Sequence, residues 1–203
     1  QRGKAARKDG TEMPEAPLTR TMEATDIRPP ETFRQLPDLN LTAEHAVAQA
    51  IEYCDHKMGL GSASEALRAI QHCDRSACAY CLYALAKQMA ESIGTFDETV
   101  KAVYTLDYDA TPEDLCFGST AQETPLIHLV VWTERKTAAL DSLAAALDRA
   151  VVQSYGSVLG MDERASLLDV QLIDDEDVEG QVGYGALLAS IHHPPIQIWQ
   201  REQ

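Results

Sequence analysis

The feature that most constrains this chain is the stretch over residues 124–199, where an apolar strand, a helix long enough to cross over and a second apolar strand follow one another. LIHLVVW at 126–132 is a near-continuous apolar run with β-branched and aromatic residues, the pattern of a strand covered on both faces. Leu140, Leu143, Ala144, Leu147, Val151, Ser154 and Val158 then recur at three- and four-residue spacing. That spacing predicts one mainly apolar stripe down a helix over 137–159, ended by Gly160. LLDVQLI at 167–173 reads as a second buried strand and PIQIW at 195–199 as a short last one. Strand, crossover helix and strand make a βαβ unit with parallel strands.

The rest of the chain is read around that unit. TVKAVYTLDY at 99–108 alternates, with Val100, Ala102, Tyr104 and Leu106 on one side, and predicts a further strand of the same sheet. A loop is expected over 110–123 and a short helix over 182–191. Upstream, Thr42 is a good N-cap for a helix over 43–58, with Val47, Ile51, Cys54 and Met58 as its buried stripe. Gly59 and Gly61 break it, and Ser62 with Glu65 forms a capping box that opens a second helix running to residue 93, ended by Gly94. On this helix Leu67, Ile70, Cys78, Cys81, Leu85 and Met89 fall near one face. The expected fold class is α+β: an extended tail or linker over 1–40, a helical hairpin over 41–97, and a small α/β domain over 98–203 with four strands and one long covering helix.

The tail is marked by composition. Residues 1–40 hold few large apolar side chains and five prolines, Pro14, Pro17, Pro29, Pro30 and Pro37, so they cannot bury enough surface to fold alone. Such a segment takes a defined shape by lying on something else, and Phe33, Leu36 and Leu39, at the spacing of a short helical turn, are its expected partner contacts. The whole chain of 203 residues has 17 Lys and Arg against 32 Asp and Glu, a net charge of -15, which argues against a nucleic-acid partner and for a basic protein surface. Without an apolar run near the roughly 20 residues of a membrane span, a soluble protein with no transmembrane segment is expected. Five cysteines, an odd number, in a chain long enough to fold without staples indicate a reducing interior compartment. The start on Gln1 with Arg2, Lys4, Arg7 and Lys8 is compatible with a cleaved targeting segment, which favours the mitochondrion over the cytoplasm.

Three clusters carry possible chemistry. CDRSACAYC places Cys73, Cys78 and Cys81 at C-x4-C-x2-C spacing, with Cys116 later in the chain. This resembles the iron-binding loop of plant-type [2Fe-2S] ferredoxins over nine residues, and the resemblance implies thiolates holding a cluster that a distant cysteine completes. The surroundings are helical, and on a straight helix Cys73 and Cys78 do not share a face, so the thiolates converge only if the helix breaks near Asp74, Arg75 and Ser76. Otherwise the cysteines pack as small hydrophobes. CAYC is similar to a thioredoxin-type CxxC but follows a helix where that motif needs a strand.

The second cluster is Asp174, Asp175, Glu176, Asp177 and Glu179, directly after a strand. Carboxylates at the carboxyl end of a parallel strand can hold Mg2+, here through Asp174 and Asp175 with Glu134, although no phosphate-gripping motif accompanies them. A run of like charge also reads as a solvated loop or a contact for a basic partner. Third, His192 and His193 are adjacent and point to opposite sides of an extended segment, while His128, inside a strand, reads as a hydrogen-bonded core histidine. No catalytic residue and no cofactor is assigned. The resulting expectation is a non-catalytic accessory subunit that contacts other protein subunits through its tail and acidic surface. The alternatives are an iron-sulfur or metal-binding redox protein at the cysteines, and a Mg2+-dependent enzyme at the acidic strand end.

Overall fold

A computed structural model describes residues 38–106, 126–160, 166–192 and 194–202, all within one compact unit. The elements in order are helices α1 (Leu39–Met58), α2 (Ala63–Gln71) and α3 (Arg75–Phe96), strands β1 (Val100–Thr105) and β2 (Ile127–Thr133), helix α4 (Ala138–Leu159), strand β3 (Leu168–Ile173), helices α5 (Asp175–Gly180) and α6 (Tyr184–Leu188), and strand β4 (Ile196–Gln200). The fold is α+β. The sheet order is β3-β2-β1-β4, with β2 and β3 parallel and the other two pairs antiparallel. The parallel pair joined by α4 is the βαβ unit that the sequence predicts.

Helices α3 and α4 lie on one face of the sheet, and α1 packs against both of these helices. Strand pairing puts Ile127, Leu129 and Val131 on that face with Val103 and with Leu168 and Val170. One hydrophobic core runs from Ala43, Val47 and Ala50 of α1 through Leu85, Met89 and Ile93 of α3 to Leu129 and Val131, so the helical and sheet segments share it. Small side chains let the helices approach: Ala43 and Ala50 of α1 and Ala77, Cys78 and Cys81 of α3 are all essentially buried. The far face of the sheet buries Ala102, Val130 and Ile173 outside this core, and α6 packs against β3 there.

Helix α4 begins and ends where its caps dictate. Thr137 Oγ1 accepts from the Leu140 amide at 3.2 Å, and Gly160 closes the helix at φ 65° with its amide on the Gly156 carbonyl. Several other expectations are corrected. Helix α1 starts at Leu39 and not after Thr42, because Asp38 accepts from the amides of Asn40 and Leu41 and caps the helix earlier. Leu39, assigned to the tail, therefore stands in the first turn of α1 and packs partly buried against the core.

The long second helix is two. Asp74 takes over as N-cap, accepting from the Ala77 amide at 2.9 Å, and Cys73 stands at φ 59° in the left-handed region. A three-helix arrangement replaces the hairpin. Gly94 does not end α3, which runs two residues further. Its missing Cβ instead makes room for the Trp199 ring. On β1 a bulge between Val100 and Ala102 breaks the strict alternation, so Val103 is fully buried. Strand β3 lies at a sheet edge, with only its first and last residues buried, where full burial is expected. The helix expected over 182–191 is the shorter α6, and the acidic run before it is helical as well.

Candidate functional site

The apolar stripes of α2 and α4 are longer than the core that covers them. Leu67 and Val158 both belong to stripes that periodicity assigns to the interior, yet Leu67 is half-buried and Val158 is 41% exposed. With α1 they wall an open groove of about 620 Å3. Its floor is Ile51 and Ala150, both buried, and its depth comes from short side chains, Ala48 on α1 and Ala63 on α2. The C-termini of the two flanking helices are tied together by Gln71 Nε2, which donates to the Leu159 carbonyl at 3.1 Å.

Two carboxylates, Glu44 and Glu52, line the groove from α1, and the lining contains no Lys or Arg. Both are exposed, and neither carboxylate is in an ion pair with a described residue. Ser154 also lines it. This residue is 7% exposed, and its Oγ has no hydrogen-bond partner among the described residues. A helical serine commonly returns its hydroxyl to the carbonyl four residues back, and leaving this one unpartnered costs about 1–3 kcal/mol.

The acidic run behaves differently. Asp174 caps α5 and completes a capping box with Asp177. Lys136 Nζ lies 2.6 Å from Asp177 and 3.7 Å from Asp174. Asp175 accepts from Lys101 at 2.7 Å and from the Trp132 indole at 2.8 Å. The lysine hydrogen bond, then the indole, holds the Asp175 carboxyl below its usual range, and Lys136 does the same for Asp177. Lowered carboxyl values mean that this stabilisation is present above the unfolded carboxylate range and is lost as the pH falls through the folded values. Since both partners of each pair are partly exposed, its size is small. Asp174 and Asp175 thus share one helical turn already engaged by protein cations, while Glu134 is exposed at the end of β2 with its amide on the Thr99 carbonyl.

The helix break that a C-x4-C-x2-C cluster needs does occur at Cys73, but Cys78 and Cys81 are both buried, Cys81 beside Cys54 of α1. Cys78 directs its thiol to the Ile70 carbonyl at 3.7 Å. Burial, and then the neighbouring Cys54 and Cys78, push the Cys81 thiol up to about 12, the opposite of what a reactive CxxC needs. Cys116 lies outside the described residues, as do Phe33 and Leu36. Among the described residues no group of three or more His, Cys, Asp or Glu is arranged to hold a metal ion.

With Cys116 replaced by Ser, native protein treated with iodoacetamide at about pH 8 should be alkylated at Cys73, which is half-buried. Cys54, Cys78 and Cys81 should react only after denaturation, because burial excludes the reagent and the thiolate fraction of Cys81 is on the order of 10⁻⁴. Peptide mass spectrometry reads this directly, and rapid native labelling of Cys81 would refute it.

His128 donates through Nδ1 to the Asp169 carboxylate at 3.0 Å, and Asp169 also accepts from Gln171 at 2.7 Å, so the residue is hydrogen-bonded as expected but partly rather than fully buried. His192 is exposed after α6. No helix among the described residues is long and apolar enough to cross a membrane. Sequence reasoning missed the groove, although one signal was present: Leu67 and Val158 extend their stripes past the last helix available to cover them. No known family model, curated protein or solved structure matches the chain.

Proposed function

We propose that this chain is a non-catalytic accessory subunit that holds a neighbouring protein in the groove between α1, α2 and α4. The observation that carries the reading is the open groove in which Val158 is 41% exposed and Leu67 half-buried beside the buried floor residues Ile51 and Ala150, with polar side chains making up most of the remaining lining. A groove with apolar side chains at its floor and polar ones around it offers a partner the two kinds of contact that interface cores and rims use. The engagement of Asp174, Asp175 and Asp177 by Lys101, Lys136 and the α5 backbone supports a structural role for the acidic run rather than a metal-dependent reaction.

The test blocks the groove without altering charge. Ala48 is exposed on α1 and lines the channel, so Ala48→Trp fills it while leaving the core intact. The tagged full chain, purified from its own cells, should elute in a stoichiometric complex well above its own 22.3 kDa. Ala48→Trp, with unchanged circular dichroism and a melting temperature within a few degrees, should elute alone. Retention of the complex by Ala48→Trp, or elution of the wild-type chain alone, would sink the reading.

A further inference from the structure

We infer that the occupant of this groove is a basic amphipathic helix of the partner protein, with its apolar face on Ile51, Leu67 and Val158 and its cations paired with Glu44 and Glu52. The inference rests on the groove reading above and names the partner's chemistry. Glu44 and Glu52 lie eight residues apart on α1, two helical turns or roughly 12 Å, the spacing at which a second helix lying along α1 presents residues seven or eight apart. Elsewhere on the molecule carboxylates have taken lysines, as at Lys101 with Asp175 and Lys136 with Asp177. These two remain exposed at the edge of an apolar channel, where a cation arriving on an apolar stem gains both contacts.

Charge over the whole body agrees. Residues 38–203 hold 26 Asp and Glu against 10 Lys and Arg, a field that draws in cationic partners and repels anionic ones. The secondary structure of the occupant follows from what the floor offers. Away from the helix ends, the backbone groups of α1, α2 and α4 along the groove are used within their own helices, and the lining's one unpartnered buried hydroxyl among the described residues, Ser154 Oγ, lies beneath its surface. An extended segment seated there would bury backbone N–H and C=O groups with little to pair with, whereas a helix brings its own pairing. Phosphate-bearing ligands are disfavoured by the same two carboxylates.

The experiment uses the purified full chain and a labelled helical peptide of about 18 residues built from leucine and lysine, long enough for four or five turns. Its counterpart carries glutamate in place of lysine. Fluorescence anisotropy should show binding of the lysine peptide and none of the glutamate peptide. Glu44→Gln with Glu52→Gln should weaken the lysine peptide roughly tenfold. The charge-matched control Glu176→Gln with Glu179→Gln, on exposed residues of α5, should change it less than about twofold. Equal binding by the Glu44 and Glu52 variant, or equal weakening by the control, would overturn the inference by reducing it to general attraction to an acidic protein. The two proposals fail separately. A native complex lost on Ala48→Trp but kept on Glu44→Gln with Glu52→Gln would retain the groove and reject a basic occupant, and a complex kept by both would reject the groove itself.

Discussion

Gly94→Ala should destabilise the protein by about 2–3 kcal/mol, although glycine to alanine inside a helix normally stabilises by up to about 1 kcal/mol. The sign is decided by one contact. A Cβ at position 94 would stand 2.5 Å from Cε2 and Cζ2 of Trp199, closer than non-bonded Cβ contacts come. Trp199 is partly exposed on β4, so its ring could swing outward, but its neighbour holds the same place. Arg201 stacks on that ring at 5.5 Å and donates through Nη2 to the carbonyls of Gly94 at 2.6 Å and Asp97 at 2.8 Å. Its Nε donates to Val100, so one guanidinium closes the C-terminus of α3 and fixes the start of β1. Displacing Trp199 disturbs this clamp as well. Urea denaturation followed by tryptophan fluorescence should show a midpoint lowered by roughly 1 M or more. Trp199→Leu should cost much less in the Gly94→Ala background than alone, the signature of two residues competing for one volume. An unchanged or raised midpoint would mean that the ring moves aside at no cost.

The same glycine shows why the sequence is legible in some places and misleading in others. Helix α4 and strand β2 are readable because their signals are local: Thr137 and Gly160 are caps made by neighbours in sequence, and LIHLVVW is apolar whichever partners it finds. Gly94 near the end of a helical pattern looks like a C-cap by the same local rule, and only a residue 105 positions later reveals it as a contact.

The break at Cys73 is hidden for a related reason. A non-glycine residue at φ 59° is uncommon, and what makes it tolerable is the pair of backbone bonds around it, from Cys73 to Ile70 and from Asp74 to Ala69, together with the Asp74 cap. Asp38 was obscured by its neighbours, since the prolines of residues 1–37 dominate any composition window that includes it. Helix α5 was obscured by charge. Five carboxylates within six residues read as a loop until the structure supplies Lys101 and Lys136 from other elements to hold three of them.

The groove was half legible. Counting apolar positions along α2 and α4 finds Leu67 and Val158 but assigns them to the core, because periodicity records which face a residue lies on and not whether anything covers that face. Coverage depends on the length and angle of α1, which no local window contains. The loss of coverage at Val158 is therefore a tertiary fact, and the proposed docking groove rests on it.

Asp148→Ala should cost about 3 kcal/mol, and its effect should be confined at first to one end of the sheet. Asp148 leaves α4 and accepts, on one oxygen, the amides of both Leu167 and Leu168 at 2.8 Å. The Leu167 carbonyl in turn accepts from Leu126 and Ile127 at 3.1 and 3.0 Å. A single carboxylate thus ties the crossover helix to the first residues of both parallel strands. Hydrogen bonds to a charged acceptor contribute about 1.5–3 kcal/mol each, and removing the acceptor leaves two amides beside buried Leu167 without partners. Asp148→Asn keeps a carbonyl oxygen in the same place and should recover about half of the loss. Hydrogen exchange should quicken first at Leu167, Leu168 and Ile127, while amides in the middle of α3 keep the protection of the global transition. Uniform loss across α3 would show that the sheet end is not a separate unit. The helix that carries Asp148 also carries Ser154 and Val158, so its placement sets one wall of the groove. Under conditions where Asp148→Ala remains folded, the leucine and lysine peptide should bind more weakly to it and normally to Asp148→Asn. Strand registration and partner binding would then be two consequences of where α4 is pinned.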